Sequence, residues 1–307
     1  MTELKSMTNV DGVITPTEEA QIPVMDRGFL YGDSVYEVFR TYSGVPLFLA
    51  EHFDRMEKSA GLIHMRMSQN RGVLIREIGR TLQAIGGSSD DGDVYVRIMI
   101  TRGEGPVDLY PDPSLKTRFI VIVKPLTKWD PRYYNEGLQM AIPEVRRNPT
   151  DALDPNIKGG NYLNNILGIT QARELGADDC VILNREGFVT ESATSNVWFV
   201  IDGKLVTPGP EAGNLMGLTK NALHQACNAS GIKTSEVDIH IKDLDRATEC
   251  FVTSATREVM PAYSLLLEDR RKLQFSKGGG EVTRRVARIF RDYISNFTQA
   301  HLDEKLF

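Results

Sequence analysis

Cysteine and long hydrophobic runs are scarce in this 307-residue sequence. Its three cysteines, Cys180, Cys227 and Cys250, are too scattered for a disulfide framework or a zinc site. Apolar stretches such as Phe119–Val123 have the length of a strand, whereas a membrane helix needs about 18 apolar residues. Residues 1–12 contain no apolar core, so we expect no secretory signal. These absences favour a soluble cytoplasmic protein without a membrane partner.

A surplus of positive charge is missing too. The 36 Lys and Arg residues are outnumbered by 41 Asp and Glu residues, which gives a net charge of −5. Because nucleic-acid-binding surfaces are basic, we expect no nucleic-acid partner. The charged fraction of 25% and the hydrophobic fraction of 41% are those of an ordinary globular protein. The chain length suggests about two domains.

The common catalytic signatures are also absent. The chain has no GxxxxGK[ST] phosphate loop, no GxSxG nucleophile elbow, no HExxH metal pair, and no GxGxxG after a predicted strand. Nucleotide hydrolysis, serine hydrolysis and zinc proteolysis therefore have no motif to support them. We expect no bound metal.

Hydrophobic periodicity predicts a small α+β domain over residues 1–124. Alternating apolar residues indicate strands, and spacing of three or four residues indicates amphipathic helices. The predicted strands are 35–42, 93–101 and 118–124, and the predicted helices are 49–60 and 72–85. Pro125 and Pro131 then disfavour a continuous element, so residues 125–136 are the predicted linker.

Residues 137–307 form the predicted larger domain. We expect a strand over 138–143, a helix over 161–174, and a hairpin that joins 180–183 to 188–191. The Asp202-Gly203 pair predicts a second hairpin between 197–201 and 204–207, because both residue types favour a tight turn. A strand over 249–253 and helices over 218–230 and 281–297 complete this domain.

Lys158 has an unusual setting between a strand-like stretch and a predicted helix. Two glycines follow it and permit the close approach of a planar group, and Asn161 and Tyr162 then supply polar groups at the helix start. Taken alone, the pattern leaves two interpretations open, a catalytic lysine and an ordinary surface lysine.

Seven segments occur in a fixed order along the chain: Asp26–Glu37, Glu51–Arg55, Tyr95–Arg97, Lys158–Leu163, Val189–Val197, Gly217–Thr219 and Phe251–Pro261. Together they resemble the class IV pyridoxal-phosphate aminotransferases, a family that includes branched-chain and D-amino acid aminotransferases and aminodeoxychorismate lyase. The resemblance implies a two-domain α+β enzyme of fold type IV, with a small α+β domain and a larger domain that has a β-barrel-like core. It also implies a homodimer or a higher homo-oligomer.

The resemblance implies how pyridoxal 5′-phosphate is held. Lys158 would form the Schiff base and then move the proton between the substrate Cα and the cofactor, and Glu191 would accept the protonated ring nitrogen. Arg55 and the backbone amides at a helix start would bind the phosphate. The complete set of implied cofactor ligands is Arg55, Lys158, Tyr162, Glu191, Asn196, Leu218, Thr219, Ser254, Ala255 and Thr256.

By the same resemblance, the small domain lines the substrate pocket. The implied residues are Tyr31, Tyr36, Arg40, Tyr95 and Arg97. Arginine suits a substrate carboxylate because its planar group donates two parallel hydrogen bonds. Arg102 and Arg257 are further cations near loops, for which a grip on a second carboxylate and a solvent-facing position are both open.

The function implied is a ping-pong transfer of an amino group between L-Leu, L-Ile or L-Val and 2-oxoglutarate. Amino acids and 2-oxo acids are therefore the expected small-molecule partners. The segment Glu37-Val-Phe-Arg40 departs from the Glu-Gly-x-Arg of branched-chain enzymes, and Thr101-Arg102-Gly103 is similar to the D-amino acid enzymes. The alternatives are a D-amino acid or (R)-amine transaminase, a lyase resembling aminodeoxychorismate lyase, and a non-enzymatic protein that kept the fold.

Overall fold

The computed structural model describes residues 4–88 and 92–306. Contacts divide the chain into two compact units. The first unit comprises Met1–Thr127, Ile157–Asn161 and Asn296–Phe307, and the second comprises Lys128–Asn156 and Tyr162–Ser295. The short segment that carries Lys158 thus belongs to the first unit.

The first unit is built on a six-stranded sheet in the order β2-β1-β6-β5-β3-β4, with every pair antiparallel. Its strands are β1 (Met7–Val10), β2 (Val13–Pro16), β3 (Ser34–Tyr42), β4 (Val45–Pro46), β5 (Val94–Thr101) and β6 (Arg118–Pro125). Its helices are α1 (Arg27–Tyr31), α2 (Leu49–Leu62) and α3 (Arg71–Gln83), with short 3-10 turns at Thr17–Glu19 and Leu302–Glu304.

The core of this unit follows from the spacing of its apolar residues. On α3, Leu74, Ile78 and Leu82 recur every four residues and are buried, as a helix with one apolar face requires. On β5, every second residue from Val94 to Ile100 is buried, as a half-buried strand requires. These side chains pack in one cluster, and they confirm the predicted strand and helix at these positions.

The second unit contains a larger mixed sheet and a two-stranded ribbon. Its strands are β7 (Leu138–Ala141), β8 (Asp179–Cys180), β9 (Ile182–Leu183), β10 (Val189–Glu191), β11 (Asn196–Ile201), β12 (Lys204–Pro208), β13 (Thr234–Val237), β14 (Ala247–Ser254), β15 (Glu258–Leu266) and β16 (Lys272–Gln274). Its helices are α4 (Arg132–Asn135), α5 (Leu163–Glu174), α6 (Leu218–Ala229) and α7 (Glu281–Ala300, in this unit up to Ser295), with 3-10 turns at Pro210–Ala212 and Ile241–Arg246.

The eight-stranded sheet runs β13-β12-β11-β14-β15-β7-β8, and β16 is paired to β15. The predicted mixed α+β class is confirmed, but among the described residues the end strands β13 and β8 do not pair, so the sheet is open and not a closed barrel. Closure needs full-length partners at both edges, whereas β8 has two residues and β13 has four.

Both predicted hairpins form, but the first strand of one of them is shorter than predicted. The stretch 180–183 is divided, because Asp179–Cys180 pairs with β7 while Ile182–Leu183 pairs with β10. In the second hairpin Asp202 and Gly203 have φ angles of 50° and 74°, and they join β11 to β12 as their sequence predicts. No helix in the described part of the chain is both long and apolar enough to span a membrane.

Candidate active site

The backbone around Lys158 is held against the small sheet of the first unit. The Tyr36 amide donates to the Lys158 carbonyl (3.0 Å), and the Lys158 amide donates to Ser59 Oγ on α2 (3.1 Å). The Gly160 amide donates to the Ser34 carbonyl (2.9 Å). The segment therefore pairs with β3 as a short added strand.

Gly160, which ends this pairing, lies too close to Ser34 for a larger residue to fit without a shift. A Cβ atom on Gly160 would lie 2.2 Å from Ser34 Oγ, well inside van der Waals contact. The sequence suggested that the two glycines admit a planar group, and the structure shows that one of them admits strand β3. A side chain at this position would press on the Ser34 hydroxyl, beside the segment that bonds to Tyr36.

The Lys158 side chain lies beside an aromatic ring. Its Nζ atom is 3.4 Å from the Tyr36 hydroxyl and 4.4 Å from the Tyr36 ring centroid. The Arg97 guanidinium lies 3.9 Å from the same centroid. Tyr36 is 6% exposed, and the lysine and the arginine both lie over its buried ring, where cation–π attraction stabilises them.

Arg55 is held by a buried carboxylate that the motif analysis did not single out. Its Nε and Nη2 atoms donate to the two oxygens of Glu37 at 2.8 and 2.7 Å, and His52 Nδ1 lies 2.6 Å from Glu37 Oε2. Burial raises the pKa of Glu37, but the Arg55 charge, with the hydrogen bonds from Arg55 and His52, brings it down to about 2. Burial lowers the pKa of His52, which favours its neutral form.

The other residues implied in substrate binding have partners of their own. Arg40 Nη2 is 3.6 Å from Asp93 Oδ2, and the Arg40 guanidinium lies 4.2 Å from the Tyr42 ring centroid. The rings of Tyr31 and Tyr95 each lie close to a cation, Arg27 at 4.9 Å and Lys124 at 5.0 Å.

Arg102 is neither solvent-facing nor open to a second carboxylate. Its guanidinium is bound to the Asp33 carboxylate, with Nε at 3.0 Å from Oδ2. Its two terminal nitrogens donate to the carbonyls of His64 and Ile63, both at 2.8 Å. These bonds tie β5 to the end of α2, and that structural position answers the question the sequence left open.

In the second unit, Glu191 ends β10 with both carboxylate oxygens bound. Oε1 lies 2.9 Å from Arg147 Nη2, and Oε2 accepts a hydrogen bond from the Leu215 amide at 3.0 Å. Arg147 also donates to Asn165 Oδ1 (2.9 Å) and to the Gly213 carbonyl (3.2 Å). Sequence reasoning missed Arg147, because nothing in the Arg146-Arg147 pair distinguishes the two residues.

The start of α6 is open toward an anion. Its N-cap is Gly217, no side chain caps it, and its first turn holds no acidic residue. A Cβ atom on Gly217 would lie 1.9 Å from Asn196 Oδ1, and Asn196 Nδ2 donates to the Leu215 carbonyl (2.9 Å). Asn196 thus packs against the loop that leads into the amides of Leu218 and Thr219, where the helix dipole favours negative charge.

The remaining implied ligands lie at ends of elements in the second unit. Ser254 ends β14 and its Oγ accepts from the Arg257 amide (3.3 Å). The Thr256 carbonyl accepts from Trp129 Nε1 (3.1 Å). Ala255 lies between Ser254 and Thr256 in the same turn. Tyr162 is the N-cap residue of α5.

Arg257 is buried, as Arg102 is. Its Nη1 is bound to the Asp179 carboxylate and lies 3.3 Å from Ser195 Oγ, and its guanidinium lies 4.8 Å from the Trp129 ring centroid. A solvent-facing role is therefore wrong, and its charge is already matched by a carboxylate.

Known proteins similar to this chain agree on one family. The model of the family described as Amino-transferase class IV matches residues 34–265. A relative from Methanocaldococcus jannaschii, named as a putative branched-chain-amino-acid aminotransferase, is 31% identical over 92% of this chain and 94% of its own. A D-alanine aminotransferase from Bacillus licheniformis is 28% identical over 83% of this chain and 87% of its own.

Solved structures agree with the family match. The branched-chain aminotransferase of Thermoproteus uzoniensis, solved with norvaline, has a TM-score of 0.82 and 27% identity, with 93% of both chains covered. The family and the cofactor that the motifs implied are thereby confirmed. The chain belongs to the class IV aminotransferases and is a pyridoxal-phosphate-dependent transaminase.

Proposed function

We propose that the enzyme moves an amino group between a branched-chain L-amino acid and 2-oxoglutarate in two half-reactions that share one site. The observation that carries this proposal is the likeness, over 92% of the chain, to a relative named as a putative branched-chain-amino-acid aminotransferase. The likeness in fold to a branched-chain aminotransferase solved with norvaline supports the same substrate class.

The donor set fits pyridoxal 5′-phosphate. A lysine amine, a buried carboxylate whose two oxygens are already fixed, and a helix start without acidic residues suit an aldehyde, a ring nitrogen and a phosphate respectively. When bound, the cofactor supplies a carbonyl carbon that condenses with amines and a ring that takes up the electrons released at the substrate Cα.

In this proposal, Lys158 would hold the cofactor through Nζ. As an amine, Lys158 would also move the proton between the substrate Cα and the cofactor side. The hydrogen bond from the Tyr36 amide to the Lys158 carbonyl, and the one from the Lys158 amide to Ser59 Oγ, keep Lys158 Cα in place during both tasks. The Tyr36 hydroxyl, 3.4 Å away, is a hydrogen-bond partner for the amine when it is free.

Glu191 and the phosphate ligands set the cofactor's orientation in this proposal. Glu191 accepts the proton-bearing ring nitrogen and keeps the ring an electron acceptor. Arg55 and the amides of Leu218 and Thr219 bind the phosphate, and Tyr162 donates to the ring hydroxyl oxygen. Asn196 and the Ser254–Thr256 turn complete the set.

Substrate selection is assigned to the first unit. Arg40 and Arg97 are the proposed anchors for the substrate carboxylate, because a guanidinium pairs with a carboxylate through two bonds. Tyr31, Tyr36 and Tyr95 supply the aromatic walls. Arg102 and Arg257 are not proposed to hold a second substrate carboxylate, because each is buried and bound to an Asp carboxylate and to further oxygen acceptors of this chain.

We also propose that copies of this chain associate, because large apolar side chains of the first unit are exposed. Val24, Phe29, Val107, Leu109 and Tyr110 are each more than 60% exposed, with Leu109 at 79%. Arg27 donates to the Leu109 carbonyl (2.9 Å), so this surface is held in place. Light scattering should give at least twice the chain mass, and Leu109→Lys should lower it. A monomer at assay concentration would contradict the assignment.

The substrate assignment is tested with a half-reaction panel. The purified enzyme, loaded with its cofactor, is mixed separately with L-Leu, L-Val, L-Glu, D-Ala, D-Glu and (R)-1-phenylethylamine, and loss of the yellow lysine-bound form is followed. We expect L-Leu, L-Val and L-Glu to react. Lys158→Ala should lose both the yellow colour and turnover, which makes it the control for the lysine's role.

A second candidate, a D-amino acid transaminase, is favoured by the D-alanine aminotransferase at 28% identity. Reaction with D-Ala and D-Glu but not with L-Leu would replace the first proposal with this one. Near wild-type turnover by Lys158→Ala would overturn both.

A further inference from the structure

Lys220 is fully buried in the first turn of α6. Its exposed fraction is 0%, whereas lysines rarely leave water because their ammonium loses its hydration. It is the third residue of the helix and follows directly after Leu218 and Thr219. Nothing in the proposed chemistry so far uses it.

The position is electrostatically unfavourable by itself. A helix start carries partial positive charge, so a cation in the first turn is repelled while an anion there is stabilised. This helix start also lacks an acidic side chain and a side-chain cap. A ligand bound at this helix start would therefore have to be an anion to compensate both the helix dipole and the Lys220 ammonium.

One carboxylate of the chain already compensates part of this charge. Glu236 Oε1 on β13 lies 3.2 Å from Lys220 Nζ and 3.3 Å from His224 Nε2. The Pro208 carbonyl lies 3.5 Å from the same Nζ. Burial lowers the pKa of Lys220, and the charges of Glu236 and Glu191 oppose that shift. Lys220 Nζ thus contacts β12 and β13, while the Lys220 backbone directly follows Leu218 and Thr219 in the helix.

We propose that Lys220 is a positioning residue for the cofactor phosphate, which strengthens binding of that anion at the Leu218 and Thr219 amides through its charge. This inference rests on the proposed function, which places the phosphate at these amides. Because Lys220 directly follows Thr219 in the helix, the separation between its ammonium and an anion at these amides is on the order of 10 Å, where charges in a protein interior still interact measurably. The negative charge of Glu236 would instead weaken binding of the same phosphate.

The test compares a phosphorylated ligand with its unphosphorylated form. Dissociation constants of pyridoxal 5′-phosphate and of pyridoxal are measured for wild type, Lys220→Met, Glu236→Gln, the double variant, and Lys233→Met as an exposed-lysine control. We expect Lys220→Met to reduce the preference for the phosphorylated form about tenfold. Glu236→Gln should increase that preference a few-fold, and the double variant should return close to wild type.

The opposite signs separate charge from mere structural support. If both single variants weaken both ligands equally, the phosphate preference is unchanged and Lys220 only holds the helix in place, which overturns the inference. Should Lys220→Met not fold, Glu236→Gln decides alone, because Glu236 is partly exposed and an unchanged preference would then contradict us. A wild-type protein that binds neither ligand would instead refute the proposed function.

Discussion

Two buried glutamates in this enzyme each form an ion pair with an arginine, and the two pairs differ in which residue is oriented. Glu37 accepts hydrogen bonds from Nε and Nη2 of Arg55, and so orients the arginine. Arg147 instead reaches Glu191 with one nitrogen and spends the others on Asn165 and Gly213, and so orients the carboxylate. Removal of either partner leaves a buried charge without its counter-charge, which is costly.

Arg147→Gln should lower kcat about 10- to 100-fold, because Glu191 loses a charged hydrogen bond that orients it for its proposed partner, the ring nitrogen. The residues proposed to bind the cofactor phosphate are untouched, so the cofactor Kd should change much less than kcat. Steady-state kinetics and cofactor titration measure the two quantities.

Arg146→Gln is the matched control, since the neighbouring Arg146 pairs with Glu268 near the surface. We expect near wild-type kcat from it. Equal losses in the two variants would show that Arg147 has no special relation to Glu191.

The Glu37 pair predicts a pH dependence of stability. The pKa of Glu37 is about 2 in the folded protein and 4.5 ordinarily, so the unfolded chain takes up the proton first as the pH falls. Stability of about 3 kcal/mol is therefore present above pH 4.5 and lost between about pH 4.5 and 2. The lowered pKa of His52 adds a loss that begins below its ordinary 6.5. Urea unfolding at several pH values measures both.

Glu37→Gln should remove the part of the stability loss that falls between about pH 4.5 and 2, and should reduce stability at pH 7 by about 3 kcal/mol, because Arg55 loses its buried counter-charge Glu37. Glu51→Gln, an exposed change on α2, is the control and should reproduce the wild-type pH curve. A Glu37→Gln curve that is parallel to wild type would disprove the role assigned to this carboxylate.

At the scale of elements, the position of the first turn of α6 depends on the close approach of its N-cap residue, Gly217, to Asn196. Gly217→Ala would place a Cβ atom 1.9 Å from Asn196 Oδ1, so the loop or the asparagine must move. We expect a stability loss of about 1–3 kcal/mol and weaker cofactor binding, because the Leu218 and Thr219 amides would shift. Calorimetry and cofactor titration check the two effects.

Gly209→Ala is the matched control for this element. Gly209 is also an N-cap, its φ of −73° is close to the −72° of Gly217, and a Cβ atom there would meet nothing within 4 Å. Unchanged cofactor binding in both variants would mean that the close approach of Gly217 to Asn196 has no consequence.

Elements were predictable where the signal is local. The alternating burial of β5, the four-residue spacing on α3 and the Asp202-Gly203 turn each depend on neighbours along the chain. The division of 180–183 between two sheets was not predictable, because Asp179–Cys180 pairs with β7, which lies far earlier in the sequence, at Leu138–Ala141.

At the scale of the whole molecule, ordered motifs identified the family and the α+β class, and the structure adds that the larger sheet is open within the described residues. The match to residues 34–265 and the TM-score of 0.82 confirm the class IV fold. The open eight-stranded sheet depends on how short its edge strands are, which no single motif encodes.

The sequence by itself determined the reaction class, because a lysine, a glutamate and an arginine in ordered motifs are the residue types that can carry the cofactor's chemistry. Only the tertiary structure decided which charges are available to do so. Arg102 and Arg257 are bound by Asp33 and Asp179, 69 and 78 residues away in sequence, while Arg147 reaches Glu191 across 44 residues of chain. Folding sets such partners, because a buried charge that has lost its hydration is stable only beside a counter-charge. The two residues can be far apart along the chain.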